Sequence, residues 1–124
     1  MGVKFADRNH ESFYLEKLAL AESEGKRIDG YFRALVYLCG LTDETRSHFA
    51  DIFDWTDWSI RPEVLFAGWQ TGGTLRVIRL AFNLWNGCGS DDPDGTEAQS
   101  EYLPDNLFCC PFMEYFFEAV RLRF

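Results

Sequence analysis

Two groups of polar residues in this sequence have types and spacings that could do chemistry. The first is a polar stripe of Arg76, Arg79 and Asn83, set at helical spacing in an otherwise apolar segment. An unpaired buried charge is very costly, so two guanidinium groups on a buried helix need carboxylates or an anionic ligand beside them. Together with Trp69 and Gln70, which precede it, the stripe predicts a small-ligand or phosphate site as one hypothesis, with an enzymatic role left open.

The glycine-rich turn at 68–73 leads into this apolar segment. A turn at a helix N-terminus can bind an anion through its free backbone N–H groups, and Thr71 or Thr74 is a suitable helix cap. The Gly-Lys-Ser/Thr signature of a phosphate-binding loop is missing, and no strand precedes the turn. The pattern therefore favours close backbone packing as the role of these glycines.

The second group is acidic: Asp51, Asp54 and Asp57 are spaced by three, with Trp55 and Trp58 between them. Three interpretations compete: caps at the end of a helix, salt-bridge partners for the two arginines of the stripe, and a divalent-metal site. Hard cations prefer clustered carboxylates, but the segment has no EF-hand pattern and no second cluster at matched spacing. We predict no metal and no cofactor.

Motifs of known enzyme chemistry are missing. The sequence contains neither G-x-S-x-G nor H-E-x-x-H, and its two histidines, His10 and His48, both fall near predicted helix N-termini. A Ser-His-Asp or Cys-His arrangement is hard to build from such positions. His10 is expected at the surface, and His48 is expected to face solvent or to be structural. We expect a protein that is not an enzyme, and the question stays open at this stage.

The elements that position these residues are predicted to be mostly helical. Hydrophobic periodicity indicates one compact domain, residues 1–124, with about five helices around a central apolar helix at 74–86 and a long acidic loop after it. Caps at Asp7 or Asn9, at Asp29 and at Thr42 begin the first three helices. The third helix is expected to carry Phe53. A β-hairpin around residues 55–70 is the main alternative.

Composition narrows the possible partners. A formal net charge of −8 makes binding to nucleic acid or to anionic membranes unfavourable, because such binding depends on clustered Lys and Arg. No apolar run reaches the length of a membrane span and no signal-peptide core is seen, so a cytoplasmic location is expected. The four cysteines indicate neither zinc nor disulfides, and Cys39 and Cys110 are predicted to be buried apolar residues.

Three segments, at 31–46, 67–87 and 102–110, resemble a family of small proteins of unknown function carried on mobile elements of gut Firmicutes. The resemblance covers most of the chain but implies no catalytic residues. It implies a setting, in which small acidic proteins often bind and inhibit host defence enzymes such as CRISPR nucleases or restriction enzymes.

The leading hypothesis is therefore a non-enzymatic protein-binding module that docks on a basic, nucleic-acid-handling partner and acts as an anti-CRISPR or anti-restriction inhibitor. Electrostatic complementarity would steer the association, and Trp is favoured among interface hot spots. The predicted partner-binding residues are Asp51, Asp54, Trp55, Asp57, Trp58, Asp91, Asp92 and Asp94. The sequence does not indicate an oligomeric state.

Overall fold

A computed structural model describes residues 2–92 and 99–124 of the chain. Four helices of ten or more residues, three short ones, two 3-10 helices and a small antiparallel hairpin make up this part of the protein. The helices and strands are α1 (Arg8–Ser23), α2 (Gly30–Cys39), α3 (Asp43–Ser47), α4 (Phe49–Ile52), β1 (Phe53–Asp54), β2 (Ser59–Ile60), α5 (Gly72–Asn86), α6 (Pro104–Leu107) and α7 (Met113–Arg123), with 3-10 helices at Pro62–Phe66 and Ser100–Tyr102.

Side-chain caps fix where the helices begin. Asp7, Asp29 and Thr42 each accept a hydrogen bond from the backbone N–H three residues later, which confirms the predicted starts of α1, α2 and α3. At α5, Thr71 and a threonine three residues on form a reciprocal capping box. Gly87 ends α5 with a φ of +79°, a left-handed conformation that suits glycine.

The centre of the domain is shared by two helices. Every residue of α2 from Ala34 to Cys39 has no exposed surface, and the helix packs against α1, α5 and α7. In α5, Val77, Ile78 and Phe82 are equally buried. The prediction of a mostly helical domain is confirmed, while the helix predicted to stand alone at the centre is one of a central pair.

Gly30 allows the closest approach between two of these helices. A Cβ atom at this position would overlap the backbone carbonyl of Arg123, near the end of α7. Only a residue without a side chain lets the start of α2 and the end of α7 meet in this way.

The third predicted helix is interrupted. α3 and α4 are separated at His48, and Phe53 lies in β1 rather than in a helix, so that part of the prediction is wrong. β1 and β2 pair antiparallel, with Phe53 opposite Ile60, in a hairpin that is shorter and earlier than the predicted alternative. The turn contains Trp58 with a φ of +56°, which a continuous helix does not allow.

Two polar side chains, those of His10 and Glu118, are buried although the sequence did not predict their burial. His10, predicted at the surface, has no exposed area: Nδ1 accepts the Ala6 N–H at 3.0 Å, and Nε2 contacts the Tyr37 carbonyl at 2.7 Å. Burial lowers the pKa of His10. Glu118 is also buried, accepting hydrogen bonds from the Lys4 N–H and from Arg121.

The two cysteines that were predicted to be buried differ in their exposure to solvent. Cys39 is buried in α2, which confirms its predicted role, and its burial raises the pKa of the thiol well above the usual range. Cys110 is only half-buried. Within residues 2–92 and 99–124, no helix combines the length and apolarity needed to cross a bilayer.

Candidate functional site

The hairpin places the predicted acidic and aromatic residues in different environments. The Asp54 carboxylate accepts the backbone N–H groups of Thr56 and Asp57 at 3.0 and 2.9 Å, and lies 3.2 Å from the Arg61 guanidinium. The hydrogen bond from the Asp57 N–H, aided by the charge of Arg61, lowers the pKa of Asp54. Asp54 therefore closes the turn of the hairpin, a role that Asp commonly takes in turns.

The two tryptophans hold the hairpin against the core and keep part of their surface in solvent. Trp58 stacks on Phe32 of α2 with ring centroids 4.6 Å apart, and Trp55 meets Trp58 edge-on at 5.2 Å. The indole N–H of Trp55 donates to Glu24 at the end of α1, at 3.1 Å. Lys26 lies 5.4 Å from the Trp58 ring. Both indoles remain half-buried.

Asp51 and Asp57 are the two members of the acidic group that face solvent. Asp51 lies 3.0 Å from His48 Nδ1, and the His48 ring stacks almost parallel on Trp69 at 4.2 Å. Neither aspartate contacts the polar stripe of α5 within the described part of the chain. The interpretation that made the 51–57 aspartates partners of Arg76 and Arg79 is therefore wrong.

An open groove of about 550 Å³ runs beside the hairpin, between α1 and α4. Its apolar lining consists of Leu20, Phe49, Ala50, Phe53 and Trp55. The basic residues that line it are Lys17, Arg46 and Arg61. We call this feature the hairpin groove.

The charges of the hairpin groove are mostly compensated. Arg46 pairs with Asp43, and Arg61 pairs with Asp54. Among the described residues Lys17 forms no ion pair, and its ammonium lies 5.4 Å from the Phe49 ring. The Nε of Arg61 is buried without a hydrogen-bond partner in the same part of the chain. The groove is thus a cleft of mixed apolar and polar lining with nearly balanced charge.

The polar stripe of α5 holds the segment that follows the helix. Arg79 binds Asp91 through two hydrogen bonds of 3.2 and 2.8 Å, and the Tyr102 hydroxyl donates to the same carboxylate at 2.7 Å. Asn83 donates to the Cys88 carbonyl at 3.0 Å, and Arg76 donates to the Asn106 carbonyl at 3.2 Å. Each of these side chains contacts another part of the protein.

Asp91 is the electrostatic centre of this cluster. Burial alone would raise the pKa of its carboxyl group, but the hydrogen bonds from Arg79 and Tyr102 outweigh burial and lower it. Burial and the adjacent carboxylate raise the pKa of Tyr102. The side chains of Arg79 and Asp91 keep only 16% and 18% of their exposure, so the predicted need of Arg79 for a partner is met inside the protein.

The remaining predicted residues lie apart from this cluster. Gln70 bridges the Val64 carbonyl and the Thr74 hydroxyl, which places it at the beginning of α5, and Trp69 lies against His48. Asp92 is exposed. Asp94 lies outside the described residues. The structure therefore separates Trp69 and Gln70, which precede α5, from Arg76, Arg79 and Asn83, which bind the segments that follow the helix.

The hairpin groove could not be predicted from the sequence, because its lining comes from α1, α3, α4 and the hairpin, and no local spacing joins these elements. The ion pair between Glu118 and Arg121 could have been predicted, because the two residues are three positions apart on one helix, a common spacing for ion pairs. Among the described residues, no group of three or more His, Cys, Asp or Glu side chains is placed to hold a metal ion.

These features define a small, mostly helical protein with a partly exposed acidic and aromatic hairpin beside a groove of mixed lining. The chain belongs to DUF6075, a family of unknown function, whose model matches residues 1–124. No curated protein and no solved structure shows significant similarity to it.

Proposed function

We propose that the protein is a non-enzymatic binding module that docks on a partner protein with a basic surface. The observation that carries this proposal is the hairpin face, by which we mean Trp55 in the hairpin groove together with the exposed residues Asp51 and Asp57. Trp55 lines the groove with its indole half-exposed. The exposed carboxylates of Asp51 and Asp57 directly follow two other lining residues, Ala50 and Thr56, in the chain. Interfaces of this kind combine an aromatic anchor, an apolar pocket and a charged rim.

The charge of the chain favours a basic partner. At a net charge of −8, the protein attracts cationic surfaces and is repelled by nucleic acid phosphates. The nearly balanced hairpin groove would accept an apolar side chain of the partner, and Asp51 and Asp57 would meet its Lys or Arg residues. Trp58, which stacks on Phe32, would support this surface from behind, and Asp54 would line the groove while paired with Arg61.

The proposed setting is the cytoplasm of a cell that carries a mobile element, in gut Firmicutes. The proposed partner is a host defence enzyme that handles nucleic acid, such as a CRISPR nuclease or a restriction enzyme. This part of the proposal rests on the resemblance of the segments at 31–46, 67–87 and 102–110. An acidic protein docked on the basic groove of such an enzyme would inhibit it by excluding the nucleic acid.

The alternative, a small-ligand site on the α5 stripe, has no comparable support. Arg76, Arg79 and Asn83 contact carbonyl and carboxylate oxygens of the protein itself.

A charge-reversal experiment tests the hairpin face. The variant Asp51→Lys/Asp57→Lys reverses its two exposed carboxylates, and the control Glu101→Lys/Asp105→Lys makes the same charge change on the exposed surface near α6. We expect wild type and control to capture a basic nucleic-acid-binding protein from host lysate at low salt, identified by mass spectrometry. Capture by the hairpin variant should fall at least about tenfold, as expected for the loss of two interface charges.

Equal capture by both variants would contradict the hairpin face as the docking site. Capture that resists high salt would contradict the electrostatic version of the proposal. The captured enzyme should also lose nuclease activity when the wild-type protein is added, and an unaffected activity would contradict the inhibitor role. A third variant, Ala50→Phe, fills the hairpin groove and should weaken capture without changing charge.

A further inference from the structure

A second apolar surface lies on the outer side of α7, away from the hairpin face. The inner side of this helix buries Phe116 and Ala119 completely. On the outer side, the exposed fractions of Met113 and Phe117 are 47% and 57%. Val120 is half-buried, and Phe124, just after the helix, is 85% exposed. We call Met113, Phe117, Val120 and Phe124 the outer stripe.

The outer stripe has the spacing of a helix that pairs with another helix. Its residues are separated by four, three and four positions, which corresponds to d, a, d and a of a heptad repeat. Phe108 extends the surface sideways, with its ring centroid 5.2 Å from that of Phe117. A contiguous apolar patch of this kind marks an interaction site more often than a scattered exposed residue does.

The charges beside the outer stripe identify its occupant. Glu114 and Arg121 both fall at heptad position e, on the same flank, and their side chains are 55% and 56% exposed. In an antiparallel helix pair, position e of one helix faces position e of the other, so Glu114 of one copy faces Arg121 of the second. In a parallel pair, Glu114 and Arg121 would instead face position g of the second copy, which is occupied by Phe116 and Arg123.

We propose that α7 docks antiparallel on α7 of a second copy of this chain, about a two-fold axis. Phe117 of each copy packs beside Val120 of the other, and Met113 packs near Phe124. Glu114 and Arg121 of opposite copies form two symmetry-related ion pairs at the rim. The helix is thus complementary to itself in both apolar pattern and charge, as an isologous interface requires.

Lys4 and Glu118 extend these ion pairs within each copy. Lys4 pairs with Glu114, and Glu118 binds Arg121. In the dimer the four charges alternate in sign along the rim, so each copy keeps its own ion pairs while gaining new ones. This surface is independent of the hairpin face, so the two proposals can fail separately.

Sedimentation of the full chain over a range of concentrations tests the self-association. We expect a monomer–dimer equilibrium in the wild type, and Phe117→Glu should raise the dimer Kd by roughly 30-fold or more, the effect typical of a central aromatic hot spot. The control Leu15→Glu alters an equally exposed apolar residue, 54% exposed on α1, and should leave the Kd unchanged. Circular dichroism verifies that both variants are folded.

Disulfide cross-linking then tests the orientation of the helices. In a Cys109→Ser background, the double variant Phe117→Cys/Val120→Cys should form covalent dimers under mild oxidation, because antiparallel packing places position 117 beside 120. The single variant Phe117→Cys should form few. A monomeric wild type at all concentrations, equal effects of the Phe117→Glu and Leu15→Glu variants, or efficient cross-linking of the single variant Phe117→Cys would each overturn the proposal.

Discussion

The hairpin at 53–60 and the segment at 88–92 are both short, acidic and predicted to meet a partner, yet they use their carboxylates in opposite ways. Asp91 turns inward and binds Arg79 and Tyr102. Asp57 points into solvent at the tip of the hairpin. In both segments, some carboxylates form ion pairs within the protein. Only the carboxylates that do not are available to bind a partner.

The neighbouring cation decides which carboxylate turns inward. Arg79 lies on a packed face of α5 with 16% of its side chain exposed, so the segment that follows the helix supplies Asp91 to neutralise it. At the hairpin, Arg61 forms an ion pair with Asp54 in the same way. Asp57 has no such cation beside it in the described structure, and it stays at the surface.

Removing the inward carboxylate should give the largest effect on stability. Asp91→Ala leaves the Arg79 guanidinium and the Tyr102 hydroxyl without their shared acceptor. We expect a loss of about 3 kcal/mol in the free energy of unfolding, the low end for a broken buried pair, because this pair keeps some solvent contact. Urea denaturation measures it. Asp57→Ala is the matched control, and an equal loss in both variants would remove the distinction between the two segments.

Removing the Trp58 side chain, which anchors the hairpin, should give an intermediate loss of stability. Trp58→Ala removes the stack on Phe32 and should cost about 2 kcal/mol, less than a fully buried tryptophan, since half of the ring is exposed. Trp58→Gly should recover roughly 1 kcal/mol of this loss, because an L residue with a Cβ atom is strained at the φ of +56° and glycine is not. Denaturation midpoints of both variants test the point. A glycine variant less stable than the alanine variant would contradict the strain argument.

Acidification should give the smallest loss of stability, and this loss should depend on the carboxylate of Asp91. The native pKa of Asp91 lies below its unfolded value of about 3.9, so its contribution is complete well above that pH and is lost as the pH falls through the native pKa. The variant Asp91→Asn has no carboxyl group at this position and therefore lacks this pH-dependent contribution to stability. Between about pH 5 and pH 3 the wild type should therefore lose stability faster than Asp91→Asn, measured by thermal unfolding at each pH. Parallel curves would mean that Asp91 is not paired in the native state.

Local chemistry made much of the helical framework predictable. The starts of α1, α2 and α3 follow from Asp7, Asp29 and Thr42, because each cap satisfies a backbone N–H within the same turn. The end of α5 follows from Gly87. These signals act over a few residues and can be read from the chain directly.

The candidate site depends on contacts that are distant in sequence, and these could not be predicted. Trp55 was proposed as an interface residue, but its hydrogen bond to Glu24 joins positions 31 residues apart. The need of Arg79 for a partner was predictable, whereas the choice of Asp91 over the 51–57 aspartates depends on how the chain leaves α5. His10 was misplaced for the same reason, because the residues before α1 fold back over its first turn.

The contacts of Lys4 also bear on how the chain folds during synthesis. Its backbone N–H binds Glu118, 114 positions away, so these residues meet only after α7 has been made. Until then, the side of α2 that packs against α7 has no cover. At a synthesis rate of about 5–20 residues per second, that apolar surface stays open for several seconds. Nascent chains of this protein should therefore depend on holding chaperones until α7 emerges from the ribosome.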